Sequence, residues 1–293
     1  GYVCTAGSDS LTLFDKRSMQ VVGTLHVGSE PSALALDQQQ GRLYVALAGE
    51  DAVLAIEVAT GRIVGRIALR LGDRPKEMEL SSAGQVLAVL NPGSQSLSVI
   101  DTAGFYEKGR IRLPTEASGL FLEKMPLRAY VTHRRSSSLS AIDLRGASLL
   151  GTVSLDEAPI DGTASDAAGI FYLINDFTAV LSVFDSSSMT VRERISVGPD
   201  ATLIRNDSAT GLLYVARQDG EIAVVDPRSL MAIDSYRLQE PAAEFAIENE
   251  ENVLFILPRQ AAQLVKINLI SKRELARLPL DSAGRAIAVM GER

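Results

Sequence analysis

Hydrolysis through a serine or cysteine nucleophile needs a base, and this chain offers only His26 and His133 for that role. His26 falls in a β-branched stretch that reads as an outermost strand, where a histidine is a surface side chain. His133 reads as part of a loop beside Arg134 and Arg135, whose charges would lower its pKa. The single cysteine, Cys4, stands early in a strand pattern and reads as a buried, inert thiol. Neither a Gly-x-Ser-x-Gly elbow nor a Gly-x-x-x-x-Gly-Lys phosphate loop occurs. Two histidines and one cysteine cannot build a multi-histidine copper or zinc centre, and no Cys-x-x-Cys-His haem attachment motif is present. Calcium takes oxygen ligands, and the carboxylates of Glu77, Asp161 and Glu244 are the set that would suit it, although no compact Asp-x-Asp-x-Asp-Gly loop accompanies them.

Composition narrows the classes further. A net charge of -7 argues against nucleic acid as the main partner, because phosphate binding needs a basic surface. With 46% hydrophobic and 22% charged residues the chain can bury a large core. No apolar run approaches the roughly 18 residues that mark a membrane helix, so no membrane span is expected. A lone cysteine forbids an intramolecular disulfide and fits a reducing or an oxidising compartment equally. The chain begins inside a strand pattern at Tyr2-Val3-Cys4, the appearance that removal of an upstream signal or lipid anchor would leave.

The elements that would position these side chains are set by a repeat. Large apolar residues recur about every 42 positions at Tyr2, Tyr44, Leu87, Tyr130, Tyr172, Tyr214 and Phe255. A second column ends short β-branched runs at Asp15, Glu57, Asp101, Asp143, Asp185, Asp226 and Asn268. Within one period four runs of 4 to 8 residues are separated by Gly, Asp, Ser or Pro turns, and no helical period is sustained. Four antiparallel strands every 40 to 45 residues describe a propeller blade. Seven copies predict one all-β domain over 1–293, a seven-bladed β-propeller with blades near 31–73, 74–115, 116–157, 158–198, 199–240 and 241–281. The seventh blade joins 282–293 to 1–30, so that one C-terminal strand completes three N-terminal ones and leaves no unpaired inner edge. The aromatic column should pack between adjacent blades, and the acidic column should cap the turn after each third strand with its carboxylates. Without tryptophan, no Trp-Asp repeat exists.

The unit Pro-x-x, alternating apolar residues, Gly-x-Leu-Tyr-Val, a short turn and Val-Ile-Asp resembles the YVTN-type β-propeller repeat. Tyr130-Val131-Thr132-His133 is the nearest copy of the name-giving tetrapeptide and departs at its last residue. Tyr172-Leu173-Ile174-Asn175 keeps both ends, while Tyr44-Val45 and Tyr214-Val215 keep the first half. The resemblance spans the chain, and it implies the fold together with a periplasmic or extracellular location. It extends to the propellers of lactonases and periplasmic redox enzymes.

Propellers bind with the loops that lead into each innermost strand and those that join second to third strands. The first set supplies Lys76, Glu77, Asp161, Asp200, Glu244 and Arg285. The second supplies His133, Arg134, Asp176 and Phe177 among others. The expected ligand site is therefore a polar channel mouth formed by Lys76, Glu77, His133, Arg134, Asp161, Asp200, Glu244 and Arg285. Complete repeats without an assembled catalytic constellation point to a non-catalytic binding or scaffolding module for a protein, a glycan or a small polar ligand. The alternative is a lactonase-like hydrolase using channel carboxylates and a divalent cation, which would require those groups to converge.

Overall fold

The computed structural model describes residues 1–165, 167 and 169–291. Its fold is all-β: seven sheets of four antiparallel strands each, the seven-bladed β-propeller class. Blade 1 consists of Pro31–Asp37, Arg42–Leu47, Ala52–Glu57 and Arg62–Ala68, paired in that order. Blades 2 to 6 follow at 77–112, 119–154, 159–196, 201–237 and 242–279. Blade 7 is completed by Gly284–Ala288 pairing with Tyr2–Thr5, with Tyr2 opposite Ala288 and Val3 opposite Ile287. The one-plus-three closure read from the repeat is thus present.

The blades form from strongly patterned runs. In blade 1 the second and third strands are buried on both faces, while the fourth is mostly exposed. An exposed outer strand is an invitation to edge pairing, and in blades 1 and 3 to 7 it carries a β-bulge against the third strand. Such a bulge twists the edge away from a flat template.

Both repeat columns have the physical roles expected of them. Asp15 accepts the backbone N–H groups of Arg17 (3.1 Å) and Ser18 (2.7 Å), Asp185 that of Ser187 (2.7 Å), and Asn268 that of Ser271 (2.7 Å). These bonds satisfy turn donors that water would otherwise have to reach. The rings of the aromatic column meet the next blade: Tyr130 lies 4.7 Å from Phe171, and Phe255 5.8 Å from Phe14. One member was misplaced. Register puts Ala88 at the position of Tyr44 and Tyr130, since each lies two residues after the one paired with the third-strand acid: Arg42 faces Glu57, Val86 faces Asp101 and Arg128 faces Asp143. Leu87 instead packs in the cluster that contains Tyr44 of the preceding blade. A column chosen for large apolar side chains slid by one residue where the true occupant is small.

The chain falls into two compact units, Gly1–Glu107 with Ala242–Arg293, and Lys108–Pro241. In the first unit the innermost strands Ala242–Glu248, Gly284–Ala288, Pro31–Asp37 and Glu77–Ser81 are successive neighbours. The second unit holds blades 3 to 5, whose innermost strands Gly119–Glu123, Pro159–Ala164 and Ala201–Asp207 neighbour one another in the same way. Among the described residues no helix is long and apolar enough to cross a membrane.

Candidate binding face of blades 3 and 4

The loops between second and third strands grow from a shared base. At the last position of the second strand, blades 2, 3 and 4 carry Asn91, His133 and Asn175. Each hydrogen-bonds a serine seven residues on: Asn91 to Ser98 at 2.8 Å, His133 to Ser140 at 2.8 Å and Asn175 to Ser182 at 3.0 Å. All six side chains are buried. Blade 1 holds Leu47 and Leu54 at the same two positions, joined by packing alone.

His133 is accordingly a strand residue and not a loop residue. Its Nε2 faces the Ser140 hydroxyl and its Nδ1 lies 3.3 Å from the Glu116 carbonyl. Its pKa is lowered, with burial as the cause rather than the neighbouring arginines. The pair has the elements of a nucleophile and base, yet both residues are 0% exposed, so no substrate reaches the serine.

Above this base lies an exposed platform. Ser118, just before the first strand of blade 3, accepts the Arg134 backbone N–H at 3.2 Å and donates to the Pro159 carbonyl at 3.0 Å, which anchors the loop. The Arg134 guanidinium ion-pairs with Asp176 of blade 4 at 2.5 Å and lies 5.8 Å from the centre of the Phe177 ring. Asn175 beneath it also donates to Glu157 at 2.7 Å, and the Asp176 N–H bonds the Ala158 carbonyl at 2.8 Å. Phe177 itself is 86% exposed and has φ +56°. The matching loop of blade 7, at 6–9, has Gly7 at that position with φ +70°. A left-handed backbone suits glycine and strains any other residue, so the ring stands in the open at a backbone cost.

Each of the remaining expected site residues has its own local surroundings. Lys76 ion-pairs with its neighbour Glu77 at 3.1 Å. Glu77, Asp161 and Glu244 occupy the same position of the innermost strands of blades 2, 4 and 6, opposite Leu90, Ile174 and Leu257. Among the described residues no three His, Cys, Asp or Glu side chains are grouped so that they could hold a metal ion. Asp161 is taken up by blade 5, accepting from the Ile204 N–H and the Arg205 guanidinium, both at 3.1 Å. Burial raises its pKa against the opposing pull of Arg205. Glu244 accepts the adjacent Phe245 N–H at 3.0 Å. Asp200 sits at φ +57° with its carbonyl bound by the Gln218 N–H. Arg285 is exposed on the closing strand, at the bulge beside Cys4, a buried thiol that desolvation pushes up to about 12. His26 is a surface side chain 3.3 Å from Asp9. The reading of sequence placed Asp176 and Phe177 on the right loop without singling them out. Their signal was an aromatic where the equivalent turns of blades 1 and 7 have Gly49 and Gly7.

No protein-family model matches the chain. The "Uncharacterized protein YncE" of Salmonella typhimurium (strain LT2) is 27% identical over 167 residues, and that of Salmonella typhi 26% over the same length. Those matches involve 54% of this chain, which spans about half the length of the curated relatives, 46% in each case. Among solved structures, a chain of Kuenenia stuttgartiensis hydrazine synthase superposes with a TM-score of 0.73 at 16% identity, over 87% of this chain and 88% of that one. The dihydro-heme d1 dehydrogenase NirN, in complex with DHE, gives a TM-score of 0.69 at 14% identity, over 97% of this chain and 74% of that one. At such identities the likeness is one of fold, the β-propeller.

Proposed function

We propose that this chain is a non-catalytic binding propeller of YVTN-type repeats, which docks a protein or glycan partner on the loops of blades 3 and 4. The observation that carries the reading is Phe177, an aromatic side chain held in the open by a left-handed backbone that the equivalent turn of blade 7 gives to Gly7. Among the described residues fourteen other non-glycine residues share a positive φ, so the strain supports the reading only together with the 86% exposed ring and the Arg134–Asp176 pair beside it. An arginine beside an exposed aromatic ring is also the chemistry that dominates interface energetics. The polar base of Asn175, Ser182 and Glu157 supports the reading by fixing the loop before a partner arrives, which lowers the ordering cost of binding. As the YVTN resemblance implies, the protein acts outside the cytoplasm.

A photo-crosslinking amino acid at position 177 tests the docking face. It should give a specific adduct with extract of the native host, while the same probe at the exposed Ile270, in a turn after a third strand, should give none. Equal labelling from both sites, or labelling from 270 alone, contradicts the assignment. Location is read by fractionating cells that express the natural full-length protein, where recovery in the cytoplasm would contradict export.

A further inference from the structure

The third strand of blade 6 carries a charge where its counterparts are apolar. Lys266 pairs with Phe255 of the aromatic column. In the other blades the residues paired with that column, Ala88 included, are Leu13, Ala55, Val99, Ala141, Val183 and Val224. Lys266 is 5% exposed. A buried ammonium is costly unless it is paired and hydrogen-bonded, so this break in the pattern calls for partners.

Those partners span a blade junction. Lys266 Nζ donates to the Lys16 carbonyl of blade 7 at 2.7 Å and to Glu251 of blade 6 at 2.8 Å, and it stands 5.6 Å from the centre of the Phe255 ring. Lys16 and Arg17 open the turn after the third strand of blade 7, and Glu251 lies in the turn after the innermost strand of blade 6. The two turns are joined again by Lys16 with Glu248 at 2.9 Å and Glu250 at 3.6 Å, and by Arg17 with Glu251 at 3.3 Å. Glu248 is as buried as Lys266, and its other oxygen accepts the Glu251 N–H at 2.9 Å.

Blade 7 is the one assembled from distant parts of the chain. Gly284–Ala288 follows directly from blade 6, whereas Tyr2–Thr5, Ser10–Asp15 and Gln20–His26 do not. The Lys16–Glu248 and Lys266–Lys16 contacts therefore tie segments 232 and 250 residues apart. We propose that Lys266 is the pin of a closure clasp, which governs how readily Tyr2–Thr5, Ser10–Asp15 and Gln20–His26 come away from blade 6 as one unit. Hydrogen bonds within either turn survive such an opening, while every contact that Lys266 and Lys16 make across the junction is broken by it. An apolar residue at 266, of the kind the other blades use, would pack without tying the two segments.

The test is amide hydrogen exchange, read by mass spectrometry, on the wild type and on Lys266→Met, which keeps an unbranched stem and removes the charge. Peptides covering the three strands between residues 2 and 26 should exchange about tenfold faster or more in the variant, the effect of losing charge-assisted hydrogen bonds across the junction. Peptides covering the matching strands of blade 1, between residues 42 and 68, should keep their wild-type rates. Unchanged exchange in blade 7 overturns the proposal. So does equal acceleration in both blades, which would make Lys266 an ordinary core residue, or acceleration confined to the turn at 16–19, which would mean that the strands do not open together. Lys16→Met removes the blade 7 side of the clasp from a less buried position and serves where Lys266→Met does not fold. It should speed exchange in the same three strands, and wild-type rates there would equally contradict the clasp.

Discussion

Two turns of the same build, 6–9 in blade 7 and 176–179 in blade 4, are put to different ends. Both join a second strand to a third, and both place their second residue in the left-handed region. In blade 7 that residue is Gly7, whose Cβ position has nothing within 4 Å, so the turn is a connection and no more. In blade 4 it is Phe177, capped by Arg134 and braced from below by Asn175, Ser182 and Glu157. A repeat fold supplies identical frames many times, and a site arises where one frame departs from the economical residue. The difference teaches that function in such a chain is sought in breaks of the repeat, not in the repeat itself.

That contrast can be broken from several sides. Phe177→Ala should reduce affinity for the crosslinked partner by about 2 kcal/mol or more, roughly thirtyfold, as the loss of an anchoring aromatic does. Titration of the purified pair reads this directly, and an unchanged affinity would make the turns equivalent after all. Asn175→Leu installs the residue type that blade 1 uses and takes a hydrogen bond from both Ser182 and Glu157. Urea unfolding should show a loss of about 1.5 kcal/mol. Gly7→Phe places the strained residue in the plain turn, where the Cβ position is open, and the left-handed backbone should cost about 1 kcal/mol in urea unfolding.

The base of the platform also carries a pH signature. Burial keeps the folded-state pKa of His133 below its ordinary value of 6.5. The unfolded chain then takes up the proton first, so this contribution to stability is present above about pH 6.5 and is lost as the pH falls through the window below it. The slope from this one group is limited to about 1.4 kcal/mol per pH unit. His133→Gln should flatten that part of the stability profile measured between pH 7 and pH 5, and a profile that stays as steep would place the titration elsewhere.

Period, blade number, closing strand and turn caps were all legible in the sequence, because each depends on residues close together in the chain. Asp15, Asp185 and Asn268 bond the turns that immediately follow them, and local spacing reveals such contacts. What sequence concealed was contact between blades. Asp161 reads as a ligand until Ile204 and Arg205, more than forty residues away, are seen to hold it. His133 reads as a loop base until strand pairing turns it inward to Ser140. The Leu87 error has the same origin: a one-residue slip in register exchanges the two faces of a strand. Phe177 was visible as an aromatic in a loop, but its meaning needed the backbone angle that it shares with Gly7.

The measurement closest to the central claim is the unfolding free energy of Phe177→Gly. Relief of the left-handed strain should offset both the lost ring–arginine contact and the extra freedom that glycine gives the unfolded chain, leaving stability within about 0.5 kcal/mol of the wild type or above it. A loss of about 1 kcal/mol or more would mean that the ring serves the fold, and the case for a docking face on blades 3 and 4 would fall with it.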